Sequence, residues 1–151
     1  DGWNKNYSFI LGIGDNKLRQ KVSEFVLSKD EEILNVIHET SCISKGVEIG
    51  KGNFISKNTS INPLVKINDF CIVNTGAVIE HECEIESAVH IAPRVVLLGN
   101  VKVGERSFIG ANSVIKQGVT IGSDVIIGAG SVVLKNIPNG KKIVGNPSRE
   151  I

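Results

Sequence analysis

The amino-acid sequence predicts an all-β solenoid, and three observations point to that fold class. Its 151 residues include 21 Ile and 18 Val but only 8 Leu, and β-branched side chains favour strands over helices. Glycine is frequent, at 16 residues, whereas aromatic residues make up only 5%, which indicates narrow strands and many turns. The strongest observation is a period of six residues, which neither an amphipathic helix nor a simple alternating strand produces.

The N-terminal elements precede this period and predict a strand, a helix and a second strand. Residues 8–14 have the pattern of a buried strand, and Asp15 offers a helix N-cap. We expect a helix over residues 17 to about 27 and a short strand over 33–37. The expected apolar face of the helix consists of Leu18, Val22, Phe25 and Val26. One such unit is too small to fold alone. We therefore interpret residues 1–38 as the remnant of an α/β domain whose beginning is absent, the alternative being a small cap on the solenoid.

The period of six begins at Ile43 and runs without a break to Val133. Every position of this register is aliphatic, and the residues two places earlier are small or β-branched, with Asn53 as the clear exception. Two inward positions per six fit a short strand followed by a corner, and stacked units of this kind bury a narrow continuous core. We predict a solenoid over residues 39–136 and a tail over 137–151. The aliphatic positions are Ile43, Ile49, Ile55, Ile61, Ile67, Val73, Ile79, Ile85, Ile91, Leu97, Val103, Ile109, Ile115, Ile121, Ile127 and Val133.

Composition and charge exclude several classes of function. The 17 Lys and Arg residues nearly balance the 16 Asp and Glu residues, so no basic excess points to nucleic acid. No apolar run reaches the length needed to span a bilayer, and no secretory signal opens the chain. Three cysteines are too few, and oddly numbered, for a disulfide framework, so we expect reduced thiols and a cytoplasmic location.

The histidine at position 81 is the first candidate for chemistry. It lies two residues after the inward Ile79 and so projects from a corner, between Glu80 and Glu82. A neighbouring carboxylate increases the basicity of a histidine and fixes its tautomer, which suits a general base. From composition alone, a solvated surface histidine is the alternative.

Several motifs carry a resemblance to a known family. The hexads resemble the left-handed parallel β-helix of the hexapeptide-repeat acyltransferases, in which three hexads form one triangular coil, and sixteen hexads then give about five coils. EHEC at 80–83, a second histidine in SAVHIAP and the following GNVKVG resemble the bacterial sugar O-/N-acyltransferase family. FILGIGDNKLR and the ending IVGNPSR are similar to that family as well. Its members include N-acetyltransferases acting on UDP-4-amino-4,6-dideoxy sugars and sialic acid O-acetyltransferases.

The resemblance implies a function and assigns roles. It implies acetyl transfer from acetyl-CoA to the amine of a nucleotide-linked amino sugar, by a homotrimer and without a metal, in bacterial glycan biosynthesis. His81 matches the general base and Glu82 the acid that increases its basicity. The positions that match contacts to acetyl-CoA are His90, Gly99, Ala111 and Ala129. Residues 1–38 match the end of a sugar-nucleotide domain.

Two further expectations come from spacing. Gly99 follows His81 by three hexads, so a triangular coil stacks it on the histidine corner, although a plain corner glycine is the alternative. Asn74, at a corner seven residues before His81, could touch the acceptor sugar, although a tolerated turn residue is the more ordinary explanation. His90 has a purely structural alternative too.

Other interpretations stay open at this point. Cys83 is adjacent to Glu82 but falls on an inward position, which favours an inert buried thiol and direct transfer over an acyl-enzyme. The Gly-rich strand–turn that holds the nucleotide in the family is absent from the sequence, so an impaired or non-catalytic relative is an alternative. O-acetylation of a sialic acid is another. A carbonic anhydrase on the same helix would need three converging histidines, and His38 lies outside the repeat.

Overall fold

A computed structural model describes residues 7–151, and its N-terminal part is a strand–helix–strand unit. Strand β1 (Ser8–Phe9) and strand β2 (Glu32–Ile33) pair in parallel, with helix α1 (Asn16–Leu27) between them in the chain. The expected order of strand, helix and strand is therefore present. The single strand predicted over 33–37 was wrong, because β2 ends at Ile33 and Val36–Ile37 pairs separately with Phe54–Ile55 in the solenoid. Strand β1 is much shorter than the predicted 8–14, and Ile10 directly after it is 66% exposed.

Helix α1 begins where the sequence predicts, but its buried face is only partly the predicted one. The side chain of Asp15 caps it by accepting a hydrogen bond from the Leu18 backbone N–H at 2.8 Å. Leu18 and Phe25 are half exposed, at 50% and 52%. Of the predicted face, Val26 is buried and Val22 packs against the same apolar cluster, and the other buried residues of the helix are Arg19 and Ser23. The expectation of an apolar face through Leu18 and Phe25 was wrong because the guanidinium of Arg19 finds backbone acceptors inside the molecule.

The rest of the chain is a parallel β-solenoid of about six turns, with three flat faces. Every third strand pairs in register with its predecessor, for example Val78 with Val96. The first face contains β3 (Val36–Ile37), β6 (Phe54–Ile55), β9 (Ile72–Val73), β12 (His90–Ile91), β15 (Phe108–Ile109), β18 (Ile126–Ile127), β20 (Lys142–Val144) and, antiparallel to it, β21 (Arg149–Glu150). The second face contains β4 (Cys42–Ile43), β7 (Ser60–Ile61), β10 (Val78–Ile79), β13 (Val96–Leu97), β16 (Val114–Ile115) and β19 (Val132–Val133). The third face contains β5 (Glu48–Ile49), β8 (Lys66–Ile67), β11 (Glu84–Ile85), β14 (Lys102–Val103) and β17 (Thr120–Ile121).

The solenoid is longer than the sixteen hexads. Strand β3 adds a rung before Ile43, and β20 adds one after Val133, so the paired strands extend beyond residues 39–136 at both ends. The solenoid therefore has about six coils, one more than the sixteen hexads predict.

The core sits inside the triangular coil, as the period of six predicts. Inward aliphatic residues such as Ile79 and Leu97 are fully buried, and so are small residues two places before them, such as Ala77 and Val95. Full burial of an aliphatic side chain contributes about 1.5–3 kcal/mol, so a column of them supplies most of the stabilisation. Asn53, the exception in the pattern, is also buried, and its Oδ1 accepts a hydrogen bond from the Cys71 N–H at 2.7 Å.

Three corners join the faces, and each repeats once per coil. The first corner joins the first and second faces, the second corner joins the second and third, and the third corner joins the third and first. In the coil that carries His81, the first corner is residues 74–77, the second is 80–83 and the third is 86–89. Helix α1 lies on the third corner, where Asn16 Nδ2 donates to the Arg106 carbonyl at 2.8 Å.

Candidate active site

His81 and Glu82 form a hydrogen-bonded pair on the second corner. Nδ1 of His81 lies 3.0 Å from Oε2 of Glu82, and the two side chains are 52% and 58% exposed. A carboxylate accepts but does not donate, so this bond places the proton of a neutral imidazole on Nδ1 and leaves Nε2 as an acceptor. That tautomer and that exposure are what a general base needs to take a proton from a bound nucleophile.

A repeated backbone conformation holds this corner. Leu64, Glu82 and Asn100, one per coil, have φ angles of 63°, 60° and 57°. These left-handed residues are tied together by hydrogen bonds between coils, such as the one from the Asn100 N–H to the His81 carbonyl at 2.9 Å. The His81 backbone is therefore fixed by the coils on either side of it.

Gly99 lies directly against the His81 ring. A Cβ at residue 99 would be 2.6 Å from Cε1 and 2.7 Å from Nε2 of His81, closer than any side chain can approach. The stacking expected from the three-hexad spacing is thus present. Its contact with acetyl-CoA stays a prediction.

The other predicted site residues lie on or next to the first corner. Asn74 Nδ2 is 3.5 Å from His90 Nε2, and the His90 ring meets Phe108 edge to face with centroids 5.1 Å apart. Ala111 and Ala129 occupy successive coils of the same corner, half-buried and exposed respectively. The structure therefore brings Asn74 and His90 together, although the sequence did not predict their contact.

His90 differs from His81 in its surroundings. Burial and the nearby charge of Arg19 lower the pKa of His90 to about 4, against a partly opposing hydrogen bond to the Gly14 backbone. It is therefore neutral around pH 7, which suits a hydrogen-bonding role rather than proton transfer.

The two groups of residues are separated by the second face. His81, Glu82 and Gly99 lie on one edge of that face, and Asn74 with Ala111 lies on the other. A single chain therefore does not gather all the predicted residues into one pocket.

The buried cysteines support the interpretation of direct transfer. Burial raises the pKa of Cys83 to about 11 and that of Cys71 to about 12, so neither is a thiolate near neutral pH. The Cys83 thiol donates to the Leu98 carbonyl, with a distance of 3.3 Å between sulfur and oxygen.

Sequence reasoning missed two arginines that join α1 to the solenoid. Arg19 is 1% exposed, and Arg106 forms a bidentate pair with Asp124, with N–O distances of 3.0 and 2.9 Å. A signal for Arg19 was available, since Arg19, Ser23 and Val26 share one helical face by their spacing. This buried face of α1 could have been predicted only if an arginine had been accepted as a buried residue.

Residues 7–151 contain no helix that is long and apolar enough to cross a membrane. In the same span, no group of three or more His, Cys, Asp or Glu side chains could hold a metal ion.

A β-solenoid of hexads with a histidine–glutamate pair on one corner defines a class, the hexapeptide-repeat transferases, and comparisons with known proteins agree. The family described as "Bacterial transferase hexapeptide (six repeats)" matches residues 82–117, and "Hexapeptide repeat of succinyl-transferase" matches 100–135. Over 148 residues the chain is 36% identical to GDP-perosamine N-acetyltransferase of Escherichia coli O157:H7, which covers 95% of this chain and 67% of that protein.

Solved structures give the same result. PerB from Caulobacter crescentus, in complex with CoA and GDP-perosamine, matches with a TM-score of 0.93 and 38% identity over 94% of this chain and 69% of that chain. The acetyltransferase domain of PglB from Neisseria gonorrhoeae, in complex with acetyl coenzyme A, matches with a TM-score of 0.93 and 31% identity over 95% and 70%. The chain belongs to the hexapeptide-repeat family of bacterial sugar acyltransferases, and it is an acetyltransferase. The expected left-handed parallel β-helix is confirmed by these neighbours.

Proposed function

We propose that this chain transfers the acetyl group of acetyl-CoA to the amine of a nucleotide-linked amino sugar, of which GDP-perosamine is the representative among its relatives. The observation that carries the proposal is the arrangement of His81, Glu82 and Gly99 on one corner. The relatives named above support the choice of donor and acceptor, because their names and complexes combine CoA with GDP-perosamine.

The geometry supports a direct transfer. The sugar amine attacks the thioester carbonyl carbon while Nε2 of His81 takes a proton from the amine. The bond between carbon and sulfur then breaks, and the CoA thiol leaves with a proton returned through the imidazole. Glu82 stabilises the imidazolium formed in between, and the Gly99 backbone N–H faces the oxygen on which negative charge develops.

The first corner supplies the binding residues. His90, Ala111 and Ala129 contact acetyl-CoA, the small alanines leaving room for its arm along the solenoid surface. Asn74, in contact with His90, touches the acceptor at the boundary between the two substrates.

We infer that the chain assembles as a homotrimer with the second face toward the three-fold axis. The outward positions of that face, from β10 onward, are all valine: Val78, Val96, Val114 and Val132. The third face instead carries charge pairs such as Lys102–Glu84, at 3.1 Å. In such a trimer the second corner of one copy lies beside the first corner of the next, which unites the two groups of site residues. Apolar outward columns of this kind are what subunit contacts cover.

We assign residues 1–38 to the end of a sugar-nucleotide domain, 39–136 to the acetyltransferase helix and 137–151 to a tail, except that β3 and β20 extend the helix by one rung at each end. The parallel β1–β2 pair supports the first assignment, because parallel strands are normally covered on both faces within a larger sheet. We place the activity in the cytoplasm, where acetyl-CoA and sugar nucleotides are found.

The test is the release of CoA thiol from acetyl-CoA with a panel of 4-amino sugar nucleotides and sialic acids. We expect turnover on an amino sugar nucleotide, and a loss of roughly 10²–10⁴-fold in kcat for His81→Ala. His38→Ala, which removes another exposed histidine, is the matched control and should keep wild-type turnover.

Turnover that survives His81→Ala would contradict the assigned base. Turnover on sialic acids alone would replace N-acetylation by O-acetylation. Binding of acetyl-CoA without turnover on any acceptor would indicate an impaired relative.

A further inference from the structure

Arg19 is a buried cation whose partners are mostly backbone carbonyls. Its side chain is almost inaccessible, at 1% exposure. Nε donates to the Phe70 carbonyl at 2.7 Å, and Nη2 to the Ala88 carbonyl at 2.7 Å. Nη1 donates to the carbonyls of Ile13 and Gly14, both at 3.1 Å. A buried charge is costly unless hydrogen bonds compensate it, so this set of bonds is a built feature rather than a surface contact.

These bonds join the N-terminal unit to two coils whose acceptors are 51 and 69 residues away in the chain. Nη2 of Arg19 also donates to Asn16 Oδ1 at 2.8 Å, so the guanidinium links residues 13–14, the first turn of α1 and two coils of the third corner. Ala88 and Val89 directly precede His90 in the chain. The carbonyl oxygen of Val89 lies 3.5 Å from Nη2 of Arg19. Arg19 therefore lies between the N-terminal unit and the strand that presents His90.

We propose that Arg19 is a positioning residue, which holds the Ile13–Gly14 segment against β12 and so aligns the acceptor with acetyl-CoA. The inference rests on the proposed function, in which the acceptor is held on the N-terminal side and the donor along the solenoid. Five N–H donors in a rigid fork can satisfy carbonyls on several segments at once, whereas the ammonium of lysine has three donors and no fork.

Of the two parts that Arg19 joins, β12 has more other hydrogen-bonded neighbours than the N-terminal unit. Strand β12 pairs with β9 and β15 on either side, so it keeps its place without Arg19. The N-terminal unit has fewer attachments. Besides Arg19 and Asn16, they include the bond from Arg106 to Gln20 at 3.1 Å and an apolar cluster around Val26. Loss of the guanidinium should therefore displace the acceptor side and leave the acetyl-CoA side in place.

The experiment compares Arg19→Lys and Arg19→Met in the full chain. Acetyl-CoA affinity is measured by calorimetry, and kcat and acceptor KM by thiol release. Lys21→Met, on the exposed side of the same helix, is the charge-matched control. Ile121→Val, in the core of the third face, controls for lost stability alone, since it removes one methylene.

We expect kcat/KM for the acceptor to fall roughly tenfold to a hundredfold in Arg19→Met, because small displacements of a reacting group have effects of that size. The Kd for acetyl-CoA should stay within about twofold of wild type. Arg19→Lys should recover only part of the loss, and both controls should behave as wild type.

The positioning role would be overturned if Arg19→Met weakened acetyl-CoA binding as much as it lowered the acceptor kcat/KM, or if it changed neither. It would also be overturned if Ile121→Val lowered the acceptor kcat/KM as much as Arg19→Met does. None of these outcomes would affect the proposed function. Absence of turnover by the wild-type chain on every amino sugar nucleotide would instead overturn the proposed function, and the alignment role with it.

Discussion

At residue 99 any side chain would occupy the space that the His81 ring now fills. The clash of a Cβ is with a half-exposed side chain that can swing outward, not with the backbone. We expect Gly99→Ala to leave the melting temperature almost unchanged while kcat falls roughly a hundredfold, because the general base is displaced. Thermal melting and thiol release measure the two effects separately.

Gly104→Ala gives the opposite pattern and serves as the matched control. Its Cβ would lie 2.6 Å from backbone atoms of Gly122 and Ser123, which cannot move aside cheaply. We expect a lower melting temperature but normal turnover by the folded protein. A Gly99→Ala protein that keeps wild-type kcat would show that the contact with His81 has no role in catalysis.

At the scale of the element, the contact between β12 and the N-terminal unit makes stability depend on pH. The pKa of His90 is about 4 in the folded chain and 6.5 in an ordinary environment. Between these values the unfolded chain binds a proton that the folded chain does not. The contribution of neutral His90 to the free energy of unfolding is therefore fully present above about pH 6.5, and it falls as the pH decreases toward 4.

His90→Gln isolates this contribution, because the amide cannot titrate. We expect the free energy of unfolding of the wild type to fall more steeply from pH 7 to pH 4.5 than that of His90→Gln, as measured by urea denaturation at each pH. Parallel curves for the two proteins would show that His90 titrates normally in the folded state. Carboxylates that titrate in this range affect both proteins alike.

At the scale of the whole molecule, the proposed trimer distinguishes the faces of the solenoid. Val96→Glu places a charge on the outward valine column of the second face, and we expect it to dissociate the trimer and abolish turnover together. The matched control is Thr120→Glu on the already charged third face, which should stay trimeric and active. Analytical ultracentrifugation measures the state of assembly. A trimeric Val96→Glu protein would mean that another face forms the interface.

Most of the fold could be predicted because one local rule repeats along the chain. The inward positions from Ile43 to Val133 follow from the period alone, and the same period places Gly99 on His81. The buried face of α1 could not be predicted, because the acceptors of Arg19 at Phe70 and Ala88 are 51 and 69 residues away in sequence. The contact of Asn74 with His90 depends on side-chain direction across a corner, which the period does not specify.

The pairing of every coil only with its neighbours has a consequence for how the molecule opens. Two-residue strands have no stability of their own, so a coil is held by the coil below it and the coil above it. Fraying therefore starts at the ends of the stack and advances inward one coil at a time. On the second face β10, which leads into His81, has two strands below it and three above it. The histidine corner is thus among the last parts of the solenoid to be exposed to solvent exchange, although its side chain lies at the surface.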